Sequence, residues 1–465
     1  MILLAHSNFL AQDPKQQERM KPYAPLSTLL AAALLRSEAH EVAVFDATFA
    51  SGVHEFEAML DDLSPEIVVI MEDNFNFITK MCTTVRRETA LSMIAAARAR
   101  GCRVAANGPD VSDNPALYFA AGADAVVLGE GEMALRDLVS SWVHGDGAIE
   151  AVEGLMIPEE GRLKRTHPRR ALQDLDQLPH PAWDLIDADR YRQVWLGAHS
   201  EFSWNMATSR GCPYSCNWCA KPTFGRRYTV RSPEDVALEM RRLKTELRPD
   251  HLWFTDDILG LDLAWLRDFA DEVQRLDAHI PFTMQSRVNL MTDKAVAALA
   301  DAGARDVWLG VESGSQKILD AMEKGTTVEA ARTATRTLKA HGVKACWFIQ
   351  LGYPGEAWED LLATRDLIRD EEPDDIGVSV AYPLPGTEFH ERIRAQLGRQ
   401  RNWKDTGDLA MLFQGTYDTA FYRRVRDVLH QEASGLVDGF EAWDAIERDA
   451  HLHRSPRPFR PAVNA

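Results

Sequence analysis

The sequence lacks any apolar run of about 18 residues, the length needed to span a bilayer. Residues 1–6 are apolar, but they have no basic leader and no small-residue cleavage site, so they are interpreted as a buried strand rather than a signal peptide. Basic residues are in deficit, with 52 Lys and Arg against 70 Asp and Glu and a net charge of −18. A surface this acidic repels phosphate backbones. We therefore expect a cytoplasmic protein without a membrane span or a nucleic-acid partner.

Cysteine is scarce, with six residues in a chain of 465. Three of them, Cys212, Cys216 and Cys219, fall within eight residues of one another, and the other three are scattered. A disulfide framework is not expected in a cytoplasmic chain of this length. The tight triplet therefore indicates metal binding.

Residues 1–145 alternate short apolar strands with helical segments. The strands are unbroken runs rich in Val, Ile, Leu and Ala, which is typical of a parallel sheet covered on both faces. Five such units predict a doubly wound, Rossmann-like α/β domain. The five strand candidates are residues 2–6, 41–46, 66–71, 103–107 and 124–129.

Residues 146–199 contain four prolines that interrupt any periodicity, and they are predicted to form a surface linker. Alternation resumes over residues 200–390, where six strand–helix units predict a partial (β/α)6 barrel with its site at the carboxyl ends of the strands. Ser232 and Thr292 are predicted to cap two of its helices. Residues 391–465 are expected to be mostly helical. The barrel strand candidates are residues 204–209, 251–255, 282–286, 306–312, 344–351 and 376–382.

The cysteine triplet follows the first barrel strand with the spacing C-x3-C-x2-C. Thiolates are soft ligands that select zinc, copper(I) or iron–sulfur clusters. A [4Fe–4S] cubane has four irons, so three cysteines leave one iron without a protein ligand. The amino and carboxylate groups of a methionine fit that open position. The triplet thus indicates a cluster that acts as a reaction centre.

Three alternative roles for the triplet stay open at this point. Structural zinc normally needs four ligands, and the nearest histidines, His199 and His251, are isolated in sequence. An electron-transfer cluster would need a fourth cysteine, and Cys346 lies in the middle of a predicted strand. The three cysteines could also be ordinary buried residues, although the loop around them is polar.

Residues 200–390 resemble the radical S-adenosylmethionine superfamily. Its members carry this cysteine loop after the first strand of a partial barrel, with an aromatic residue before the last cysteine, here Trp218. The resemblance implies a [4Fe–4S] cluster on the three cysteines and S-adenosylmethionine on the open iron. It also implies reductive cleavage to a 5′-deoxyadenosyl radical, with an electron donor such as flavodoxin or ferredoxin.

Further motifs at successive strand ends extend this resemblance. Asp256 follows the second strand, where a carboxylate is implied to bind the methionine ammonium, and Arg287 follows the third, where a cation is implied to pair with the methionine carboxylate. The fourth strand ends in the form G-x-E-S-G and the fifth in G-x-P-G-E, near the ribose and the adenine. The implied S-adenosylmethionine contacts are Asp256, Arg287, Glu312, Ser313, Gly352 and Gly355.

The N-terminal region resembles the cobalamin-binding domain that precedes the barrel in one branch of the superfamily. Glycines at the ends of its strands would let a bulky corrin approach the backbone. The chain lacks the D-x-H-x-x-G loop found in many cobalamin domains, so no histidine is expected to bind cobalt. The implied cobalamin contacts are Gly108, Pro109, Gly129, Glu130 and Gly131.

The resemblance implies a cobalamin-dependent methyltransferase that acts on an unactivated carbon, or on phosphorus, of a small-molecule or natural-product substrate. A cobalamin-linked cyclase or oxidoreductase with the same cofactors is the alternative. A non-enzymatic iron–sulfur or B12 sensor is a third hypothesis, which the set of barrel motifs disfavours. The sequence indicates no catalytic acid, base or hydrogen donor.

Overall fold

The computed structural model describes residues 1–81, 83–145, 149–219, 224–436 and 439–455, so Cys82 lies outside the described residues. The N-terminal domain contains a sheet whose first five strands are parallel. Their spatial order is second, first, third, fourth, fifth, which is a doubly wound order with helices on both faces. The expected Rossmann-like fold is confirmed. Its strands are Ile2–Ala5, Val42–Phe45, Ile67–Met71, Arg103–Asn107 and Ala125–Val127.

Residues 146–199, which were predicted to form a surface linker, contain ordered structure in their described part. The hairpin Leu155–Glu159 and Arg162–Arg165 adds two antiparallel strands to the edge of the N-terminal sheet. Glu160 and Gly161 form its two-residue turn with φ of 49° and 75°, as a hairpin with right-handed twist requires. Helix Ala188–His199 follows, and its Tyr191 ring lies 5.4 Å from that of Trp204 in the barrel.

The second sheet has six parallel strands in sequential order, each joined to the next by at least one helix. Within the described residues, the first and sixth strands do not pair with each other, so the barrel is open, as predicted. Ser232 and Thr292 accept hydrogen bonds from backbone N–H groups as helix caps, which confirms both assignments. The strands are Ser203–Met206, His251–Phe254, Phe282–Ser286, Ala304–Glu312, Lys344–Leu351 and Asp375–Val380.

The helices cover the outer faces of both sheets, and one apolar core runs through the two domains. Buried side chains such as Leu4, Trp204 and Leu309 belong to it. The helices of the N-terminal domain are Pro14–Arg19, Leu26–Ser37, Val53–Leu63, Phe77–Lys80, Thr84–Ala99, Pro109–Asp113, Pro115–Ala121 and Glu132–His144. Those of the barrel are Pro233–Glu246, Leu263–Arg275, Asp293–Ala302, Gln316–Ala321, Val328–Ala340 and Trp358–Glu371.

The C-terminal region is helical only in part. Its helices are Glu388–Ile393, Thr419–Ala433 and Gly439–Asp449, with an irregular stretch over residues 397–418. This stretch crosses to the N-terminal domain, where Thr406 Oγ1 donates to Asp13 at 2.8 Å and Trp403 accepts from the Thr84 N–H at 2.9 Å. The C-terminal region therefore connects the barrel to the N-terminal domain through these hydrogen bonds.

Candidate functional site

The cysteine loop lies at the carboxyl end of the barrel sheet, beyond the strand Ser203–Met206. Cys216 is buried, Cys212 and Cys219 are half-buried, and the Cys219 N–H donates to the Cys216 carbonyl at 3.4 Å. In the described ranges, no three His, Cys, Asp or Glu side chains are gathered as for a single metal ion. A cubane does not require that, because each thiolate binds its own iron. The role of the three cysteines therefore stays a prediction.

Arg287 touches the cysteine loop directly. Its Nη1 lies 3.3 Å from Cys216 Sγ, and its guanidinium stacks over the Tyr214 ring at 3.8 Å from the centroid. Its other amino group donates to the Lys324 carbonyl. Arg287 thus lies between the cysteines and the carboxyl end of the fourth strand.

Asp256 is fully buried behind the cysteine loop. Its Oδ1 accepts from the N–H and hydroxyl of both Thr208 and Ser209, including the Thr208 N–H at 3.0 Å and the Ser209 hydroxyl at 2.6 Å. Its Oδ2 has no hydrogen-bond partner among the described residues. Burial raises the pKa of the Asp256 carboxyl to about 6. One oxygen therefore fixes the chain that leads to Cys212, and the other is available to a ligand donor.

Glu312 closes the fourth strand in a left-handed conformation, with φ of 68°. Such backbone costs about 1–3 kcal/mol in a side-chain-bearing residue and is typical of functional sites. Glu312 Oε1 accepts from Lys324 Nζ at 2.7 Å, and both side chains are buried. A Cβ on Gly310 would lie 2.6 Å from Lys324 Nζ, so a larger residue there would require this ion pair to shift.

Ser313 has a different environment from Glu312. Its hydroxyl lies 3.2 Å from that of Thr364 and accepts from the Ser315 N–H at 3.1 Å. These bonds hold the turn into the helix Gln316–Ala321. The structure therefore gives Ser313 a packing role in the turn, and its predicted contact with S-adenosylmethionine is untested.

The turn at residues 352–356 follows the fifth strand. Gly352 and Gly355 have φ of 76° and 89°, and a Cβ on Gly355 would meet no atom within 4 Å, so that side of the turn is open. The Gly352 N–H donates to Glu356 Oε2 at 2.6 Å, while Glu356 Oε1 lacks a partner among the described residues. Burial raises the pKa of the Glu356 carboxyl to about 8. The motif at this turn was visible in the sequence, but it did not single out Glu356.

Asn217 anchors the cysteine loop to three other strand ends. Its side chain accepts from the Tyr353 hydroxyl at 2.7 Å and donates to the Ala321 carbonyl at 2.9 Å. Its backbone carbonyl accepts from the Phe389 N–H at 3.0 Å. Tyr353 follows the fifth strand, Ala321 the fourth and Phe389 the sixth. Sequence reasoning missed both Asn217 and Lys324, since neither carries a signal beyond its own residue type.

Arg210, two residues before Cys212, joins the cysteine loop to the N-terminal domain. It pairs with Glu132 at 2.8 Å, with both side chains almost fully buried, and reaches Glu130 at 3.4 Å. Its guanidinium also lies over the rings of Phe75 and Phe224, 5.5 and 5.4 Å from the centroids. Glu130, a predicted cobalamin contact, therefore belongs to an ion-pair cluster between the domains.

The other predicted cobalamin residues lie at the carboxyl edge of the N-terminal sheet. A Cβ on Gly108 would come within 2.9 Å of Glu72, and one on Gly131 within 2.9 Å of Asn107, so these two glycines make room for the protein's own side chains. Gly129 is left-handed, with φ of 72°, and Pro109 opens a short helix. Their predicted contacts with cobalamin are untested.

A small cleft opens beside this edge. Leu26, Leu30 and Phe75 of the N-terminal domain line one side, and the linker residues 175–181 line another. Arg210 and Glu239 of the barrel complete the lining. The cleft thus presents apolar surface from the N-terminal sheet to the chain that leads into the cysteine loop.

The comparison with known families identifies the class of this protein. A family model described as the radical SAM superfamily matches residues 206–368, the range that contains the cysteine loop and four strand-end motifs. Residues 206–368 are therefore similar to the radical S-adenosylmethionine superfamily, and the protein is an enzyme.

Individual relatives resemble most of the chain. An uncharacterised methyltransferase of Pyrococcus horikoshii is 29% identical over 386 residues, covering 82% of this chain and 81% of the relative. The anaerobic magnesium-protoporphyrin IX monomethyl ester cyclase of Rubrivivax gelatinosus is 26% identical over 58% of this chain and 49% of its own length. The structure of the radical S-adenosylmethionine methyltransferase TsrM from Kitasatospora setae, with cobalamin and a [4Fe–4S] cluster bound, superposes with a TM-score of 0.72 at 20% identity. That match covers 100% of this chain and 91% of TsrM, and it establishes the two-domain fold.

Every helix in the described part of the chain is too short or too polar to cross a membrane.

Proposed function

We propose that this enzyme is a cobalamin-dependent radical S-adenosylmethionine methyltransferase that acts on an unactivated carbon, or on phosphorus, of a small molecule. One observation carries the proposal: Arg210 and its buried partner Glu132 hold the cysteine loop against the carboxyl edge of the N-terminal sheet. Ligands of doubly wound sheets bind at this edge, and barrel enzymes react at the carboxyl ends of their strands. The two cofactor sites would then face each other.

Cys212, Cys216 and Cys219 would hold the cluster, with the Arg287 guanidinium 3.3 Å from Cys216 Sγ. The unpaired Oδ2 of Asp256 fits an ammonium donor. When bound, the cluster would supply the electron that cleaves S-adenosylmethionine, and cobalamin would carry the methyl group.

Around the remaining parts of S-adenosylmethionine, the end of the fourth strand is polar and one side of the turn after the fifth strand is open. The buried pair of Glu312 and Lys324 offers an acceptor and a donor at the fourth strand. The open side of Gly355 leaves space for a flat ring at the fifth strand. Gly352 and Ser313 would act by fixing the two turns, because their backbone and side-chain bonds are made within the protein.

For cobalamin, the fit is partial. Leu26, Leu30 and Phe75 would give a corrin an apolar surface to contact, but the cleft beside them is too small to hold its body. His6 is bonded to Asp46 at 3.0 Å and to the Ala47 N–H at 3.1 Å, in keeping with cobalt that has no protein ligand. Among the predicted contacts, Gly108, Gly131 and Glu130 serve internal contacts, Pro109 is buried, and the Gly129 carbonyl accepts from the Asn107 side chain at 3.2 Å.

A cyclase or oxidoreductase with the same cofactors is the second candidate, supported by the likeness to the Rubrivivax gelatinosus cyclase. Flavodoxin or ferredoxin is the proposed electron donor, and the cytoplasm stays the predicted location.

The test reconstitutes the cluster and cobalamin anaerobically and supplies S-adenosylmethionine with a deuterated methyl group. We expect cobalamin to co-purify and 5′-deoxyadenosine to form, with the label transferred to the product. Release of 5′-deoxyadenosine without methylation of any candidate substrate would contradict methyl transfer and favour the second candidate.

A further inference from the structure

The barrel sheet has an outer face, which the helices cover, and an inner face. On the outer face, the Trp347 indole donates to Thr335 Oγ1 at 3.0 Å, and Thr335 belongs to the helix Val328–Ala340. Successive side chains of a strand point to opposite faces, so Phe348 lies on the inner face. Its ring stacks on that of Trp308 in the fourth strand, with 4.8 Å between the centroids. The inner face therefore carries a pair of stacked aromatic rings.

Solvent reaches this inner face. The apolar side chains on the outer face of the second to sixth strands are buried, whereas each of these strands has an inner residue that is only half-buried. Strand pairing places Gln285 beside Trp308, and it places Gly377, which has no side chain, beside Phe348. The interior of a closed barrel is normally filled by its own side chains. This open barrel instead leaves its inner face accessible at Trp253, Gln285, Trp308, Phe348 and Ser379.

The amide side chains of the inner face lack partners. Within the described ranges, neither Gln285 nor Gln350 makes a side-chain hydrogen bond, and Gln350 Oε1 is buried. Gln350 as a whole is 7% exposed. It precedes Gly352 by two residues, so it lies on the inner face just below the turn after the fifth strand. Because a buried unpaired oxygen is costly, Gln350 offers an acceptor to a ligand that enters the barrel.

Charged side chains lie at the two ends of the inner face. At the carboxyl end Glu312 is paired with Lys324, and at the amino end Asp306 is paired with Arg305 at 2.9 Å. The described inner residues between these two layers are neutral. A charged group placed among them would lose its water without gaining a counter-ion, which is costly. This part of the barrel therefore favours an uncharged ligand.

We propose that Gln350 sets the substrate specificity of this enzyme by accepting a hydrogen bond from an uncharged small molecule whose flat apolar ring packs on Trp308 and Phe348. The inference rests on the proposed function, because the inner face lies just below the strand ends that are proposed to hold S-adenosylmethionine. Aromatic rings favour stacked contact with a flat ligand. A site built to bond an N–H or O–H group rejects an analogue that lacks it, since the buried acceptor is then left unpaired. The substrate class is thus a neutral ring compound with an N–H or O–H donor.

The experiment compares Gln350→Leu with the control Gln274→Leu, which makes the same change at an exposed position on the helix Leu263–Arg275. Three probes share one ring: naphthalene carboxamide has an N–H donor, its methyl ester analogue has none, and naphthalene carboxylate is an anion. Anaerobic equilibrium dialysis with the cluster-loaded protein gives the affinity for each probe. The same method gives the affinity for S-adenosylmethionine.

We expect wild type to bind the carboxamide about tenfold or more tighter than the ester and the carboxylate, because only the carboxamide is both neutral and a donor. Gln350→Leu should bind the carboxamide about tenfold or more weakly than wild type does. Its affinity for the ester should not fall, which shows that the variant is folded. The control should bind all three probes as wild type does.

Equal carboxamide affinity in Gln350→Leu and wild type would overturn the proposal, as would a wild type that binds the carboxylate as tightly as the carboxamide or binds none of the probes. A fall in S-adenosylmethionine affinity as large as the fall for the carboxamide would also overturn it and assign Gln350 to the cofactor. The proposed function has a separate readout. If wild type releases no 5′-deoxyadenosine with dithionite, that function fails, and the probe affinities still decide whether Gln350 selects neutral donors.

Discussion

The carboxyl edges of the two sheets both carry buried acidic side chains, but the hydrogen bonds of these side chains differ. At the N-terminal edge, Asp73 accepts from the Ser27 and Phe75 N–H groups at 3.2 and 3.3 Å, and Glu72 accepts from the Ser7 N–H at 3.1 Å. These acidic side chains are bonded to the backbone around them. They stabilise the ends of their own strands, as N-terminal caps and turns do elsewhere.

At the barrel edge, three buried side chains each keep one oxygen without a partner among the described residues: Asp256, Gln350 and Glu356. An unpaired buried oxygen costs about 1–3 kcal/mol, so such groups are rare outside functional sites. The contrast indicates that the barrel edge offers buried polar groups to a ligand, whereas the acidic side chains of the N-terminal edge bond to the protein's own backbone. It also accounts for why the barrel site is better defined than the cobalamin site.

The largest effect, on both cluster content and activity, is expected when one of the predicted cluster ligands at the barrel edge is removed. Replacing Cys216 by Ala should abolish both the brown colour of the reconstituted protein and the release of 5′-deoxyadenosine, because one iron loses its thiolate. Absorbance and chromatography of the products measure these two losses. Cys346→Ala is the matched control, since Cys346 is also buried but lies within the fifth strand. A Cys216→Ala protein that keeps colour and activity would contradict the cluster assignment.

The next effect concerns the contact between the two edges. Arg210→Met should lower the free energy of unfolding by about 3–5 kcal/mol, because it leaves Glu132 buried without a counter-ion. Urea unfolding followed by tryptophan fluorescence measures the change. Arg98→Met is the control: Arg98 pairs with Asp124 at 3.0 Å with 53% of its side chain exposed, and the loss there should stay below about 1 kcal/mol. Equal losses in the two variants would show that the edges are not joined through Arg210.

The unpaired carboxyl of Glu356 gives a pH-dependent effect. Burial raises its pKa from 4.5 to about 8, so between these pH values the folded protein keeps a proton that the unfolded chain has released. Its contribution to stability therefore falls as the pH rises through this interval. Glu356→Gln should remove this fall and, at pH about 8, stabilise the protein by a few kcal/mol. Urea unfolding at several pH values measures it.

Glu371→Gln is the contrasting variant, because Glu371 is buried but paired with Arg332 and Arg336. Removing its charge should destabilise the protein at neutral pH. If Glu356→Gln also destabilised the protein at high pH, the unpaired oxygen would not be the source of the effect.

The sequence predicted most of the strands and helices of both domains, because continuous apolar strands and local caps are encoded within a few residues. Ser232 and Thr292 mark their helices through bonds three residues away. The hairpin in the linker was missed, since Pro158 within a strand argues against a sheet and is accepted here near its edge.

Residues of the candidate site could be predicted from the sequence only where they belong to a recognisable motif. The cysteines and the strand-end acids follow from position, because parallel strands bring their carboxyl ends together. The pairing of Arg210 with Glu132 joins residues 78 apart, and Lys324 reaches Glu312 across the space beside Gly310. Such contacts depend on how two domains and a turn pack, and no local pattern encodes them.

The smallest effect on stability is expected when an aspartate at each edge is replaced by asparagine. The same pair of substitutions gives the clearest contrast in ligand binding between the two edges. Asp73→Asn and Asp256→Asn each retain Oδ1 as an acceptor for the backbone N–H groups it binds now. At a pH below about 4, where both native carboxyls carry a proton, unfolding free energies should therefore change by less than about 1 kcal/mol in either variant.

Binding of S-adenosylmethionine should separate the two variants. In Asp256→Asn, an amide N–H group replaces the unpaired Oδ2 and would face the ammonium with a donor, which should weaken binding by about tenfold or more. Asp73→Asn should bind as wild type, because Asp73 is fully used by its own strand end. Equilibrium dialysis with the cluster-loaded protein gives both affinities. Equal affinities would mean that the unpaired oxygen of Asp256 does not distinguish the barrel edge from the N-terminal one.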